Sequence, residues 1–273
     1  METAVVLLRW IQYAAGFMLA GGALFALYAL PSAGPSSPEA LRWPRRLLAG
    51  SAAALCLASL VGLLLQTAVV AGSLSAAVEP ATLVSVVTEM AMGVSSLARA
   101  AASATALVMV LLAGLRRGAL SATACLGAIA VASLAWMGHG AATEGAGGLL
   151  HLAADLTHLL AAAVWIGALA FFLALAGASW GDETRTGTLL AALAGFSRVG
   201  TVVVAALLAT GLVNSWFLVG PAGISALLAT FYGRLLLVKL VLFVGMVLLA
   251  AINRFHLTPA LRQALADPAA ASA

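Results

Sequence analysis

The sequence predicts an all-α bundle of about seven transmembrane helices. Three observations carry that prediction. The hydrophobic fraction is 64%, the charged fraction is 8%, and the apolar residues fall in long runs separated by short polar linkers. Soluble domains carry about 25% charged residues. A chain this apolar cannot cover itself with a polar surface in water, so lipid is its solvent. A span needs about 20 apolar residues to cross about 30 Å of hydrocarbon. No ten-residue alternation of a β-barrel is present, and no segment is long and polar enough for a soluble domain. The 273 residues read as one membrane domain.

Seven apolar segments lie at about 4–30, 47–72, 95–115, 119–137, 149–177, 189–219 and 233–252. The first is too long for an ordinary signal peptide and reads as a retained span. Residues 80–93 form a short additional stretch, expected as an interfacial or re-entrant helix. Small residues recur in the first three spans, for example GFMLAGGALFAL and SAAALCLASLVG. They let helices approach closely where no hydrophobic force drives association.

Loop charge gives the expected orientation. Arg42, Arg45 and Arg46 follow the first span, Arg116 and Arg117 the third, and Arg254 and Arg262 the seventh; Arg185 and Arg198 flank the loop after the fifth. The stretches 73–94, 138–148 and 220–232 contain no Lys or Arg. The positive-inside rule puts the N-terminus outside and the C-terminus inside. The net charge of +4 therefore reflects topology rather than nucleic-acid binding. Cys56 and Cys125 lie in apolar runs without CxxC spacing, which argues against a disulfide or zinc site. No GxxxxGK[ST] phosphate loop is present, which argues against direct ATP-driven pumping. The chain reads as a transport or binding protein, not an enzyme.

Histidine carries the candidate chemistry. Three of the four histidines, His139, His151 and His158, fall within twenty residues. His151, Asp155 and His158 are spaced i, i+4 and i+7, one stripe of a helix. His158 lies about 10 Å deeper than His151. An ionisable side chain in a span costs roughly 2.5–3.5 kcal/mol and faces a partner or a cavity. Asp155 is therefore either ion-paired, with Lys239 of the seventh span as the candidate partner, or part of a metal or proton path. Imidazole binds copper, zinc, iron and nickel, while thioether favours Cu(I). Met137 precedes His139, and Met90 and Met92 lie beside Glu89. These soft groups tilt the expectation toward copper, as Cu(I) or Cu(II). Arg9, Gln12, Gln66, Arg99 and Asn214 fall in the same outer half, which predicts a polar cavity there. The inner half offers only Cys56, Cys125 and Met109 as further ligands, and His256 reads as interfacial.

The motifs HLAADLTHLLAAAVWIGAL, FSRVGTVVVAALLATGLVNSW and YGRLLLVKLVLFVGMVLLAAINRFHLTPAL resemble the CopD family of bacterial copper-handling inner-membrane proteins. The likeness is strongest over 151–265, and the first span is similar to the family's opening helix. On those motifs, Asp155, His158 and Trp165 match the fifth helix and Arg198, Gly211 and Asn214 the sixth. Tyr232, Gly233, Arg234, Lys239, Asn253 and Arg254 match the seventh. The resemblance implies copper transfer from periplasm to cytoplasm and partnership with a CopC-like periplasmic carrier. Gln12 stands where the family commonly has histidine, and an eighth span common in the family has no counterpart before residue 273. The expected metal site is thus His139, His151, Asp155 and His158 with Met137, Met90 and Met92, supported by Lys239, Asn214, Trp165 and Arg234. A haem-binding electron-transfer protein and a non-transporting copper receptor are the alternatives.

Overall fold

The computed structural model describes residues 2–29, 42–138, 141, 143–178, 183–223 and 227–266. Seven of its helices are long and apolar enough to cross a membrane. They belong to α1 (Glu2–Ala29), α2 (Arg42–Ala71), α5 (Ala91–Ala113), α6 (Arg117–Ala132), α7 (Gly148–Ala178), α8 (Glu183–Leu218) and α10 (Phe231–Ile252). Shorter pieces join them: α3 (Leu74–Ala77), α4 (Pro80–Glu89), α9 (Gly220–Gly223) and α11 (Thr258–Ala266). A 3₁₀ turn at Ser133–Met137 extends α6, and a π turn at Asn253–Leu257 links α10 to α11. Each expected span is present; α2 and α8 begin earlier than expected, at Arg42 rather than 47 and at Glu183 rather than 189, and the other bounds agree more closely. The stretch expected to be interfacial is α4 plus the start of α5.

Two features fix the ends of these helices. Pro80 stands in the first turn of α4, where its missing N–H costs nothing. At the far end of α5, Gly114 has φ of 65°, a conformation that strains any residue with a Cβ. The freed carbonyls there are not abandoned. Arg45 donates to Val110 O (Nε, 3.2 Å) and Leu111 O (Nη2, 2.6 Å). A cation on a helix C-terminus also complements the dipole. Replacing Arg45 with methionine is expected to cost about 1 kcal/mol, read as a lower melting midpoint in detergent.

Packing centres on α1. It lies against α2, α6 and α7, while α2 packs on α5 and α7 on α8. Leu19, Ala23, Phe25, Leu48, Leu55, Val110 and Phe171 form the main core. The tightest crossing is backbone on backbone. A Cβ placed on Gly167 of α7 would lie 2.5 Å from Gly21 Cα. Only glycine at both positions permits that approach.

The last span is placed differently. Phe243, Met246 and Ala250 of α10 pack against Trp165 of α7 and Val203 and Leu207 of α8. Arg254 then donates to Thr201 Oγ1 at 2.8 Å. Toward its own N-terminus α10 splays away from α7 and α8. None of its most apolar window is buried among the described residues.

Candidate functional site

Neighbouring spans run antiparallel, so α1, α5, α7 and α10 all begin at one end of the bundle. The candidate residues gather there. On α7, His151 is buried, 2% exposed, although it is ionisable and only four residues into the helix. Its Nδ1 lies 2.6 Å from Thr143 Oγ1. Its ring stacks on Phe217 of α8, with centroids 4.7 Å apart and planes 5° apart. His158, two turns further in, places Nδ1 2.9 Å from Thr210 Oγ1 of α8. Thr210 Oγ1 itself donates to Ala206 O at 2.6 Å. A hydroxyl has one proton, so the imidazole must donate to it. This assigns the Nδ1–H tautomer to His158 and leaves Nε2 with a lone pair, the arrangement typical of ligating histidines.

Thr210, Asn214 and Phe217 share a face of α8 at i, i+4 and i+7. Both histidines of α7 meet that face, so Asn214 stands between them in register. Asn214 Oδ1 is buried and has no hydrogen-bond partner among the described residues. An unsatisfied buried acceptor costs on the order of 1–3 kcal/mol. The seam between α7 and α8 is thus lined by imidazole, amide oxygen and imidazole in descending order.

Asp155 leaves the stripe. It is turned about 60° around the helix axis from His158. Its Oδ2 lies 3.6 Å from where a Cβ on Gly138 would stand. Gly138 closes the 3₁₀ turn, and Met137 beside it packs, as Tyr13, Leu152 and Leu156 do, against the cluster of Val131, Leu134, Ala135 and Leu159. Asp155 therefore faces the 3₁₀ turn at Gly138, next in sequence to Met137, whose thioether accepts from Arg99 of α5, while the two histidines meet the α8 flank. His139 lies outside the described residues. Among the described residues no three of His, Cys, Asp and Glu converge as a metal cluster.

The other expected residues are dispersed. Met90 is exposed at the α4–α5 junction. Met92 is half-buried and offers its carbonyl to Ser95 Oγ at 3.0 Å. Both sit on the flank where α4 packs on α5 and α2. Arg234 is exposed on α10. Trp165 is buried and donates its indole N–H to Met246 Sδ at 2.7 Å. Lys239 lines a cavity with His158.

Arg99, marked by the sequence only as a polar residue of the outer half, organises this end of the bundle. Its side chain is wholly buried. Nε donates to Ser59 Oγ of α2, Nη1 to Ser133 Oγ of the 3₁₀ turn and Nη2 to Ser96 Oγ of α5, each at 3.1 Å. Nη2 also donates to Met137 Sδ at 2.8 Å. All four acceptors are neutral. Gln12 lies in the same region, fully buried, with Nε2 on Ala58 O at 2.7 Å and Oε1 unpartnered among the described residues. The polar residues expected to line an outer cavity divide accordingly: Gln12, Gln66 and Arg99 are packed in the core, and the large cavity lies elsewhere, between α7, α8 and α10. The buried serines scattered at 59, 96 and 133 in alanine-rich helices were the signal available for Arg99.

Residues 1–149 match the family described as Copper resistance protein D-like, N-terminal domain, and residues 190–273 match Copper resistance protein D. Copper resistance protein D of Pseudomonas syringae pv. tomato is 37% identical over 95% of this chain and 84% of its own length. Copper transport protein CutJ of Bacillus subtilis (strain 168) is 29% identical over 90% of this chain and 45% of its own. Inner membrane protein YebZ of Escherichia coli (strain K12) is 33% identical over 48% of this chain and 43% of its own. The chain thus spans less than half of the latter two relatives. No solved structure matches.

Proposed function

Because the chain belongs to the copper resistance protein D family, we propose that it takes up copper at the His151 end of the bundle and passes it across the bacterial inner membrane toward the cytoplasm. In this reading the N-terminus and the His151 end face the periplasm, as the loop charges indicate. The observation that supports the reading is that unlike donors stand on adjacent flanks of one turn of α7. His151 is held by Thr143 and Phe217 on one side, and Asp155 with Met137 stands on the other. Imidazole, carboxylate and thioether together suit copper in either oxidation state. His139, two residues past Met137, supplies the second imidazole.

Copper is the cargo here, and each side chain has a separable task. His151 Nε2 and Asp155 capture the ion. Met137 adds a soft ligand through the lone pair that Arg99 leaves unused. Met90 and Met92, on the α4–α5 flank, serve arrival from a CopC-like periplasmic carrier rather than coordination beside Asp155. Asn214 Oδ1 offers the next oxygen inward along the α7–α8 seam. A conduction site must bind firmly enough to load and weakly enough to release, and a lone amide oxygen is a weak copper ligand. His158 lies deeper, where Lys239 shares its cavity, and the ammonium opposes a free cation there.

The test is copper uptake into proteoliposomes carrying a trapped copper probe. The double variant His151→Ala, Asp155→Asn is expected to lose uptake by at least about 100-fold and to lose one equivalent of bound copper in metal analysis. Wild-type uptake in that variant would eliminate the proposed entrance. Copper bound stoichiometrically by the wild type without any uptake would instead make the protein a receptor.

A further inference from the structure

Between α7, α8 and the splayed part of α10 lies a cavity of about 600 Å³. Sites for small organic ligands run about 300–1,000 Å³, are mostly apolar and carry a few placed polar groups. This cavity fits that description. Leu208, Leu212, Leu236, Leu240 and Phe243 supply apolar wall, and His158, Ser215 and Lys239 are its polar side chains. It opens sideways: Leu212 is 72% exposed and Trp216 65% exposed. At its inner end the Trp165–Met246 hydrogen bond closes it. No copper station proposed above uses it.

The polar groups define the occupant. His158 offers Nε2 as an acceptor, since its Nδ1–H is committed to Thr210. Lys239 offers donors only. Among the described residues no Asp or Glu lines the cavity, so a metal cation would meet an ammonium with no countercharge from them. Both groups are also deep. Lys239 is about 12 Å along α10 from its first residue, and His158 about 15 Å along α7. A phospholipid phosphate stays at the interface and does not reach that depth. What fits is an uncharged ring that both donates and accepts hydrogen bonds, carried on an apolar tail that enters from the bilayer.

We infer that this cavity binds a quinol-type lipid, its ring hydroxyl donating to His158 Nε2 and its second ring oxygen accepting from Lys239 Nζ. The tail leaves between α8 and α10 past Leu212, Trp216 and Leu240. Trp165 and Trp216 both line the cavity, so a bound ring quenches indole fluorescence. The site stands independently of the copper reading, because neither His151 nor Asp155 contributes to it.

The experiment uses full-length protein in nanodiscs of synthetic phosphatidylcholine, titrated with decyl-benzoquinol under anaerobic conditions. Wild type is expected to show saturable quenching. Gly211→Leu fills the cavity, since a Cβ there meets only His158 Cε1 at 3.8 Å, and is expected to weaken binding at least 10-fold. His158→Leu should weaken it comparably, and Lys239→Met several-fold. Melting midpoints identify any variant that misfolds, and Lys239, exposed at the cavity wall, provides a variant outside the core packing. Quenching that never saturates, or that is identical in wild type and Lys239→Met, overturns the inference. So does equal competition by decanol, which has the tail and lacks the ring and would mark the cavity as one filled by any acyl chain.

Discussion

Arg99→Met is expected to abolish copper uptake while leaving the bundle as stable as wild type or more so. The reasoning is electrostatic. Arg99 places a full charge in the core with four neutral acceptors and no carboxylate within ion-pair distance among the described residues. Desolvating a charge costs several kcal/mol, and apolar replacements of buried ionic groups are often neutral or stabilising by about 1–4 kcal/mol. Its serine partners are not stranded by the change. Ser59 still donates to Leu55 O at 2.6 Å and Ser133 to Ala130 O at 2.7 Å, and Ser96 can turn its hydroxyl back onto its own helix. Uptake suffers because Arg99 ties the 3₁₀ turn, and with it Met137 and Gly138, against α2 and α5. Without that tie the turn that carries Met137 and brings Gly138 to Asp155 is no longer fixed. Arg99→Lys is expected to be the less stable variant, since a single ammonium cannot span serines on three segments. Uptake and melting midpoint together decide the matter: a midpoint that falls by several degrees in Arg99→Met, in step with uptake, would make Arg99 a structural keystone only.

Gly167→Leu is expected to prevent assembly altogether. The clash falls on Gly21 Cα and carbonyl carbon at 2.5 Å and on Gly22 N at 2.6 Å, so no side chain can rotate away. Overpacking typically costs about 1–3 kcal/mol, and backbone contact puts even Gly167→Ala at or above the top of that range. Gly177→Ala on the same helix, with nothing within 4 Å among the described residues, is the control. It should be neutral or gain up to about 1 kcal/mol from helix propensity. Folded yield and melting midpoint in detergent check both. A Gly167→Leu protein that purifies and melts like wild type would refute the α1–α7 crossing. Because α1 also carries Tyr13 to the Met137 cluster, the same crossing sets one wall of the proposed copper entrance.

The spans were legible in the sequence because lipid leaves little choice: every backbone group must bond within its own helix. Legible too was the stripe of His151, Asp155 and His158, which spacing alone dictates. What spacing does not dictate is which neighbour covers the stripe. The stripe straddles a groove, so a rotation of about 60° sends Asp155 toward Gly138 and both histidines toward α8. Asn214 joins them through the register of two helices, and Lys239 joins His158 through the tilt of α10. Neither quantity is written in any local pattern. Arg99 was hidden for the same reason, its partners being supplied by three separate segments.

The sideways mouth between α8 and α10 has a thermodynamic consequence. A molecule that enters there arrives from the hydrocarbon, not from water, so its occupancy follows its mole fraction in the bilayer. Affinities expressed per litre of buffer will shift whenever the lipid-to-protein ratio changes, even though the contacts stay the same.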